Sequence, residues 1–389
     1  MPGQCTDSPD ARFFARGRGS PPPLDAPTLV LHMSLNPHIA IVGATGAVGR
    51  EMLEILAQRR FPHATIKLLA SAKSAGQTIA YRGEPRTVET LTAESLRGVD
   101  LALFSAGSGI SKQFCHAAAG HGCTTVDNSS AFRMDAGIPL VVPEVNPEAL
   151  GIGPNGKPAM KLPDGRGRII ANPNCTTIIL LVALTPLRRA FGVERIIVST
   201  YQAASGAGAR GIDELERLTR ADLAGEPAEA RFFHEPYAFN LFSHNTAVDP
   251  LTGLNVEEQK VILETRKIWN DPSVAISPTC IRVPVRRAHA ESINIALARP
   301  ATTEQVRECL SGSPGVTIVD DRAANRFPTP LKASGKDDVM VGRIRPDPTR
   351  RTDASGASLG FDLFICGDQL RKGAALNAVQ IAELLHHGD

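Results

Sequence analysis

The sequence predicts an α/β protein with two domains, a doubly wound α/β domain followed by an α+β domain. Near its start, a strand-like segment runs through a glycine-rich turn into a helical pattern. Strand and helix patterns then alternate to about residue 145, which is typical of a parallel sheet with helices on both faces. Beyond Arg195, strand patterns outnumber helical ones. A length of 389 residues, 42% hydrophobic and 21% charged, is enough for two cores.

Composition narrows the class of protein further. Forty-two basic residues against 40 acidic ones give a formal charge of +2, which predicts neither a nucleic-acid partner nor a membrane-surface one. No apolar run is long enough to span a bilayer. The seven cysteines are odd in number, widely spaced and without a C-x-x-C pair, which argues against a disulfide framework and against a zinc site. We therefore expect a cytoplasmic location and no bound metal.

The first residues have a different composition from the rest. They hold three arginines and the run Pro21-Pro22-Pro23 but no helical or strand period, so we expect residues 1–36 to form a disordered N-terminal extension. The extension lacks the continuous apolar segment of a secretory signal. Its three aspartates make it a poor organellar transit peptide, which is the weaker alternative.

A phosphate-binding turn is predicted directly after the first strand, His38 to Val42. The turn reads Gly43-Ala44-Thr45-Gly46-Ala47-Val48-Gly49 and leads into a helical pattern from Arg50 to Arg59. Its three glycines permit a tight exit from the strand, a close approach of pyrophosphate and close helix packing, with the helix N-terminus facing the anion. The expected dinucleotide contacts here are Gly43, Thr45, Gly46, Ala47 and Val48.

The end of the second strand, Thr65 to Ala70, predicts which dinucleotide binds. A carboxylate that would hold the ribose 2′-OH of NAD is missing from Ala70 to Gly76. Lys73 stands there instead, flanked by Ser71 and Ser74, and this set suits a 2′-phosphate. We therefore expect NADP, and the alternative is that Lys73 is a solvated loop charge.

Cys175 is the candidate nucleophile. It lies in Ala171-Asn172-Pro173-Asn174-Cys175-Thr176-Thr177, after a short strand and before an apolar helix expected to run from Thr176 to Leu187 and to end near Pro186. The positive end of a helix dipole stabilises a thiolate over a thiol. The alternative from this motif alone is a packed, inert thiol.

The second half of the chain offers polar residues at strand ends. A strand from Ile196 ends in Gln202, beside the turn Ala203 to Gly208, and a helix is expected from about Gly211 to Leu223. Further strands are predicted over Cys280 to Val285, Ile293 to Ala298 and Phe361 to Cys366. An amphipathic helix is predicted over Lys372 to Leu385.

Seven ordered motifs together resemble the aspartate-semialdehyde dehydrogenase family, from Pro37 to the end of the chain. The motifs are Gly43 to Gly49, Leu69 to Gly76, Asn172 to Thr177, Tyr201 to Gly208, Glu257 to Lys260, Arg282 to His289 and Lys372 to Glu383. The stretches Ala238 to Asn245 and Cys280 to Asn294 look most like the branch that includes plant plastid enzymes, which keeps a plastid location as an alternative. The turn Gly107-Ser108-Gly109 departs from the expected Gly-Gly-Ser order.

This resemblance implies reductive dephosphorylation of L-aspartyl-4-phosphate by NADPH, on the route to lysine, methionine, threonine and isoleucine. Cys175 would form a thioester, His289 would be the general acid/base, and Gln202 would orient the acyl group. Arg282 would bind the substrate carboxylate. The other implied contacts are Arg133, Asn174 and Lys260 with phosphate, Glu258 with the amino group, and Ser205, Gly206 and Asn377 with the nicotinamide end of the cofactor.

The resemblance also implies an organisation and a partner. It predicts a Rossmann-type NADP-binding domain over residues 37–168, a catalytic and dimerisation domain over 169–366, and a C-terminal helix (367–389) that returns to the first domain. The partner would be a second copy of the chain. Two alternatives stay open: a reductase of the N-acetyl-glutamyl-phosphate type, whose substrate lacks a free ammonium, and a nonenzymatic relative.

Overall fold

A computed structural model describes residues 36–151, 160–162 and 164–388. The expected disordered extension therefore lies outside the described residues, apart from Asn36. The helices are α1 (Ala47–Gln58), α2 (Ser108–Gly120), α3 (Cys175–Phe191), α4 (Ala209–Leu223), α5 (Val256–Ile268), α6 (Thr303–Ser311), α7 (Pro330–Ala333) and α8 (Leu376–Gly388).

The strands form two sheets. Those of the first are β1 (His38–Val42), β2 (Thr65–Ala70), β3 (Thr78–Tyr81), β4 (Glu84–Thr90), β5 (Leu101–Phe104), β6 (Thr124–Asp127) and β7 (Ile169–Ala171). Those of the second are β8 (Val193–Gln202), β9 (Phe242–Ser243), β10 (Ala275–Arg282), β11 (His289–Ala301), β12 (Val316–Ile318), β13 (Val339–Pro346) and β14 (Ser358–Gly367).

The first sheet has the order β3-β4-β2-β1-β5-β6-β7, and every neighbouring pair is parallel except β3 with β4. The direction of strand order reverses at β1, which is where an open α/β sheet places its ligand crevice. The fold class predicted from the sequence is thus confirmed, and β1 and β2 have the predicted bounds. Val42 pairs with Leu69, so the glycine turn lies beside the end of β2.

The second sheet is mixed, with the order β12-β13-β14-β11-β8-β10-β9. Helices α3, α5 and α6 pack against it, and apolar residues of α3 such as Leu180 and Leu184 are fully buried in the cluster they form with β8, β11 and β14. Gln202 at the end of β8 pairs with Arg282 at the end of β10. Ala290 pairs with Tyr201, which brings His289, the first residue of β11, to the same edge.

Two predicted helices differ from expectation. Helix α3 does not end near Pro186 but continues to Phe191, because the apolar residues on either side of the proline are buried and tertiary packing outweighs the hydrogen bond that proline removes. The C-terminal segment is not an amphipathic helix. Arg371–Ala375 is π-helical, α8 follows it, and most of both is buried.

Helix α8 packs against α1, β5 and β6, so the end of the chain returns to the first sheet as predicted. The predicted domain boundaries stay a prediction. One fact bears on them: β7, which reaches Ala171, pairs with β6 in the first sheet. The first sheet thus extends three residues past the expected boundary after Arg168, directly up to the segment that carries Cys175.

Candidate active site

A cavity of about 430 Å³ is lined by residues from both halves of the described chain. Its volume is in the range usual for small-molecule sites. The structure brings ten of the predicted site residues to its wall: Val48, Arg133, Asn174, Cys175, Gln202, Ser205, Gly206, Lys260, Arg282 and His289.

Cys175 is the first residue of α3, and Asn174 is the N-cap. The Asn174 side-chain oxygen accepts hydrogen bonds from the backbone N–H groups of Thr176 (3.1 Å) and Thr177 (3.2 Å). This cap fixes the start of the helix and hence the position of the sulfur. Gly373 of the π-helical segment packs behind it, since a Cβ there would lie 2.9 Å from the Cys175 Cβ.

His289 contacts Cys175 directly, with 3.6 Å between Nε2 and Sγ. The imidazole is fully buried. Its other nitrogen, Nδ1, accepts a hydrogen bond of 3.0 Å from the backbone N–H of Ala203. Both ring nitrogens therefore have defined partners, one facing the cavity and one facing the backbone.

The charges of this pair differ from the sequence expectation. Burial and the nearby Glu257 carboxylate raise the pKa of the Cys175 thiol to about 11, although Arg133 and Arg282 act in the opposite direction. Burial and Arg282 lower the pKa of His289 to about 3. Burial therefore acts against the thiolate that a helix N-terminus favours. Both shifts favour a thiol beside a neutral imidazole at neutral pH.

Glu257, in the first turn of α5, is the centre of the polar network. Its carboxylate accepts hydrogen bonds from Asn174 Nδ2 (2.8 Å), Gln202 Nε2 (3.0 Å) and Lys260 Nζ (3.0 Å). Burial by itself would raise the pKa of Glu257, but Lys260, His244 and the donated hydrogen bonds bring it well below its ordinary value. Glu257 is therefore a buried carboxylate that stays charged.

The structure corrects the position expected for Glu258. Its two oxygens accept hydrogen bonds from the backbone N–H groups of Asn255 (2.9 Å) and Cys280 (3.0 Å). Glu258 thus closes a capping box at the start of α5 and is not part of the cavity wall. The carboxylate that faces the cavity is its neighbour, Glu257. The sequence held the signal, because Asn255 followed three residues later by Glu258 is a capping-box pattern.

Gln202 presents one unsatisfied atom. Its Nε2 donates to Thr176 Oγ1 (2.6 Å) and to Glu257, which identifies the nitrogen of the amide. Its Oε1 is buried and accepts no hydrogen bond from the part of the chain that the structure describes. A buried acceptor without a partner in the wall of a cavity suits a ligand that carries a donor.

Two arginines, Arg133 and Arg282, line the cavity beside Cys175. Arg133 is held by the carbonyl oxygens of Asn172 (2.9 Å) and Asn128 (3.0 Å) and by the Glu264 carboxylate (3.0 Å). Arg282 donates to Asn245 Oδ1 (3.0 Å) and to the Ala203 carbonyl (3.2 Å). Both guanidinium groups are therefore fixed before any ligand binds.

The predicted dinucleotide turn is shaped by close backbone contacts. Gly43 has φ +85°, and a Cβ on it would lie 2.5 Å from the Ser105 carbonyl oxygen. A Cβ on Gly49 would lie 2.2 Å from the Gly43 carbonyl oxygen. Gly46 is the N-cap of α1, and Val48 reaches the cavity wall. Thr45 and Ala47 belong to the same turn, so its backbone N–H groups lie at a helix N-terminus beside the cavity.

The other residues predicted to contact the cofactor lie in different parts of the structure. Ser71 and Lys73 are exposed and Ser74 half-buried in the loop that follows β2. The Ser205 hydroxyl accepts a hydrogen bond from Gln369. Asn377 is not brought to the cavity: it is fully buried, donates to Val141 and Asn172, and accepts from Lys372.

Sequence reasoning missed the contribution of the segment after β9. His244 and Asn245 line the cavity, and His244 Nδ1 contacts Thr246 Oγ1 at 3.2 Å. Burial and Arg282 lower the pKa of His244 to about 3. Their only signal in the sequence is a polar pair at the end of a short apolar run, which many loops share.

Two negative findings apply to the described ranges, 36–151, 160–162 and 164–388. No cluster of three or more His, Cys, Asp or Glu side chains there could hold a metal ion. None of the helices in those ranges has the length and apolar character needed to cross a membrane.

Comparison with known proteins places this arrangement in a family. Residues 38–152 match the profile of the semialdehyde dehydrogenase NAD binding domain, and residues 184–372 match that of the semialdehyde dehydrogenase dimerisation domain. The aspartate-semialdehyde dehydrogenase of Synechocystis sp. is 47% identical over 349 residues, which covers 89% of this chain and 96% of that one. The chain belongs to the aspartate-semialdehyde dehydrogenase family.

Other members of the aspartate-semialdehyde dehydrogenase family agree. The aspartate-semialdehyde dehydrogenase of Bacillus subtilis is 43% identical, over 90% of this chain and 97% of its own. The crystal structure of aspartate semialdehyde dehydrogenase II from Vibrio cholerae complexed with ASA has a TM-score of 0.83 and 44% identity, over 90% of this chain and 98% of that chain. The chain is therefore an oxidoreductase with a nicotinamide-binding domain and a dimerisation domain.

Proposed function

We propose that the protein is an NADPH-dependent aspartate-semialdehyde dehydrogenase that reduces L-aspartyl-4-phosphate to L-aspartate 4-semialdehyde and phosphate. The observation that carries the proposal is the wall of one cavity. It combines a cysteine at a helix start, 3.6 Å from a histidine, with two fixed arginines, a lysine and a charged carboxylate. This set suits a small substrate with two anionic groups and one cationic group.

The proposed chemistry begins at the sulfur of Cys175. The sulfur attacks the acyl-phosphate carbonyl, the C–O bond to phosphate breaks, and a thioester remains on the enzyme. A reduced nicotinamide, when bound, would supply the hydride that reduces the thioester to a hemithioacetal oxyanion. That oxyanion collapses to the aldehyde and expels the Cys175 sulfur. His289, whose Nε2 lies 3.6 Å from the Cys175 sulfur, is assigned as the hydrogen-bonding partner of the reacting oxygen and sulfur in both halves of the reaction.

Substrate groups are assigned by charge. Arg282 binds the α-carboxylate, because its guanidinium is already oriented by Asn245 and Ala203. Arg133, Lys260 and Asn174 are assigned to the phosphate. Glu257, rather than Glu258, accepts the ammonium. A substrate of the N-acetyl-glutamyl type carries no ammonium to pair with this buried carboxylate, which disfavours the rival reductase.

The turn around Gly46 fits a dinucleotide, since close backbone contacts at Gly43 and Gly49 leave room for pyrophosphate at the start of α1. NADP is proposed over NAD because the loop that follows β2 lacks a carboxylate for the ribose 2′-OH. Its charged residue is Lys73, which suits a 2′-phosphate. Ser71 and Ser74 flank it. Gly206, adjacent to His289, supports the nicotinamide end.

The partner is a second copy of the chain, as the match to a dimerisation domain supports. The sheet face opposite α3 carries Ile197, which is 42% exposed in the single chain. The roles of the site residues and the cytoplasmic location are predictions.

Cys175→Ala tests the reaction. NADPH formation from aspartate semialdehyde, phosphate and NADP should be clear for the unmodified protein and should fall to background for Cys175→Ala. The matched control is Cys309→Ala, which changes a partly buried thiol on α6 and should keep full activity. N-acetyl-glutamate semialdehyde serves as the rival substrate. Activity that survives Cys175→Ala, or a preference for the rival, would contradict the proposal.

Lys73→Ala tests the choice of cofactor. The unmodified protein should prefer NADP over NAD, and the variant should lose at least about tenfold of that preference, since one charged contact contributes about 1.5 kcal/mol or more. The exposed Lys112 on α2 offers a control of the same type, Lys112→Ala. Equal use of NAD and NADP by the unmodified protein would sink the assignment.

A further inference from the structure

The hydrogen bond from Ala203 to His289 determines which ring nitrogen carries the proton. A backbone N–H can only donate, so Nδ1 must be the accepting, unprotonated nitrogen. Both residues are fully buried, and no solvent can replace that acceptor. Protonating Nδ1 would set two N–H groups against each other and leave the Ala203 donor unpaired in the interior. The neutral ring therefore carries its proton on Nε2.

The Nε2–H group faces the reacting atoms. Cys175 Sγ lies 3.6 Å from Nε2, and Gly206 lies so close that a Cβ there would be 3.0 Å from the same nitrogen. A nitrogen that already carries a proton donates to the sulfur or to an incoming carbonyl oxygen. It cannot take the thiol proton unless its own proton first moves to Nδ1, and Nδ1 already accepts from the buried Ala203 N–H.

The charges around the ring favour the same state. Arg282, Glu257, His244 and Cys175 are the titratable groups that face it, and the lowered pKa of His289 reflects burial first and Arg282 second. Glu257 is the one anion among them, and its oxygens already accept from Asn174, Gln202 and Lys260. Among these groups, none is therefore a free base for the Cys175 proton.

We propose that His289 acts as a neutral Nε2–H donor throughout acylation, held in that tautomer by the Ala203 backbone, and that the substrate's own phosphate takes the Cys175 proton. This inference rests on the proposed function. The sulfur–carbon bond forms as the carbon–oxygen bond to phosphate breaks. The thiol proton moves to the departing phosphate oxygen, so that an acyl phosphate dianion and a thiol give a thioester and HPO₄²⁻.

This route balances in charge and needs no other base. The leaving oxygen gains negative charge as its bond to carbon breaks, and becomes basic at the moment when the sulfur must lose its proton. Meanwhile the Nε2–H group stabilises the carbonyl oxygen as charge develops on it. Ala203 is thus a positioning residue that acts through His289.

Nitrogen-15 NMR of the free protein tests the tautomer without any substrate. With ¹⁵N-labelled histidine, the His289 signals are assigned by their loss in His289→Gln. We expect one protonated nitrogen, Nε2, and one unprotonated nitrogen, Nδ1, between pH 6 and pH 9. A proton on Nδ1, or an imidazolium anywhere in that range, overturns the proposal and leaves the proposed function untouched.

Matched variants test the role of the donor. Phosphate release from L-aspartyl-4-phosphate without cofactor, followed by quenched flow, measures acylation alone. His289→Gln keeps an N–H donor near the Nε2 position, whereas His289→Asn keeps an acceptor for Ala203 but loses the donor to the cavity. Neither side chain can accept a proton. We expect Gln to stay within about tenfold of the unmodified rate and Asn to lose about 10²-fold or more.

Equal losses in the two variants mean that His289 is a base, and a smaller loss in Asn means that its part is structural; either result overturns the proposal. The pH profiles give an independent readout. Alkylation of Cys175 by iodoacetamide in the free protein should still rise above pH 9, while acylation stays level from pH 7 to pH 9. Parallel profiles would show a thiolate formed before substrate binds. If the unmodified protein releases no phosphate, the proposed function fails while the NMR result stands.

Discussion

Two adjacent rows of side chains on the second sheet have opposite characters. The row at the strand ends consists of Arg282, Gln202 and His289, which line the cavity. The next row, two residues deeper, consists of Cys280, Thr200 and Glu291, which face the same side by strand alternation. The first row has most of its polar atoms paired. In the second row the Thr200 hydroxyl and both Glu291 oxygens lack hydrogen-bond partners among the described residues.

The difference shows that burial alone does not make a polar side chain functional. In the outer row, the buried groups have fixed partners and border the cavity. A ligand in that cavity would therefore meet side chains whose pKa values and positions are already set by the fold. In the inner row, Glu291 is buried in a similarly low dielectric but does not line the cavity. The outer row should therefore respond to mutation through activity, and the inner row through stability.

Of the substitutions that test this comparison, Gly206→Ala should have the largest effect, and it should act mainly on activity. A Cβ at this position would lie 2.9 Å from His289 Cε1 and 3.0 Å from Arg282 Nη1, so both side chains must move. The φ angle of Gly206 is outside the left-handed region, so the backbone conformation itself is one that alanine adopts. We expect kcat/KM to fall about 10²-fold or more, because small displacements of reacting groups have effects of that size.

Gly312→Ala is the control for this substitution, because no atom lies within 4 Å of the added carbon. Circular dichroism and thermal unfolding should be nearly unchanged in both variants. A Gly206→Ala protein that keeps full activity would mean that the outer row is not fixed in place as the structure has it.

Glu257→Ala and Glu258→Ala should separate function from stability within one helical turn. Glu257→Ala removes the proposed partner of the ammonium, and we expect about 10- to 10²-fold lower kcat/KM, mainly through KM. Glu258→Ala breaks the capping box and leaves the Cys280 N–H unpaired. We expect it to lower the free energy of unfolding by about 1–3 kcal/mol with KM unchanged.

Steady-state kinetics and denaturant unfolding of the two variants decide this. If Glu258→Ala raised KM while Glu257→Ala did not, the assignment made from the sequence motif would be right and the structural one wrong.

Glu257 and Glu258 also show which features of the site could not be predicted from the sequence. The bounds of β1 and β2, the glycine turn and the placement of Cys175 at a helix start follow from local patterns, because a strand, a turn and a cap are each specified by a few neighbouring residues. Which of two adjacent glutamates faces the cavity depends on the phase of α5. That phase is set by the Asn255 cap and by packing on β10.

Long-range effects account for the other differences. Pro186 lies inside α3 because the helix is buried on the second sheet, which no local rule for proline anticipates. The altered pKa values of Cys175 and His289 arise first from burial in the folded protein, and then from Glu257 at the thiol and Arg282 at the imidazole. Both of these side chains lie far away in the sequence. The hydrogen bond from Ala203 to His289 likewise joins two distant segments, so the tautomer could not be predicted from the motif.

Glu291→Gln should have the smallest effect, and unlike the other substitutions it should raise stability. Burial raises the pKa of Glu291 well above its ordinary value, so the folded protein keeps this carboxyl protonated while the unfolded chain loses the proton above about pH 4.3. Stability from this group is therefore complete below that pH and is lost as the pH rises. Glutamine has no proton to lose, so Glu291→Gln should raise Tm by about 2 °C or more at pH 8 and by little at pH 4.

The control is Glu194→Gln, at an exposed position of strand β8, which also carries Thr200. It should show no such pH dependence. Thermal unfolding at fixed protein concentration from pH 4 to pH 8 measures the difference. If Glu291→Gln had a lower Tm than the unmodified protein at pH 8, Glu291 would be charged and would have a partner in the inner row.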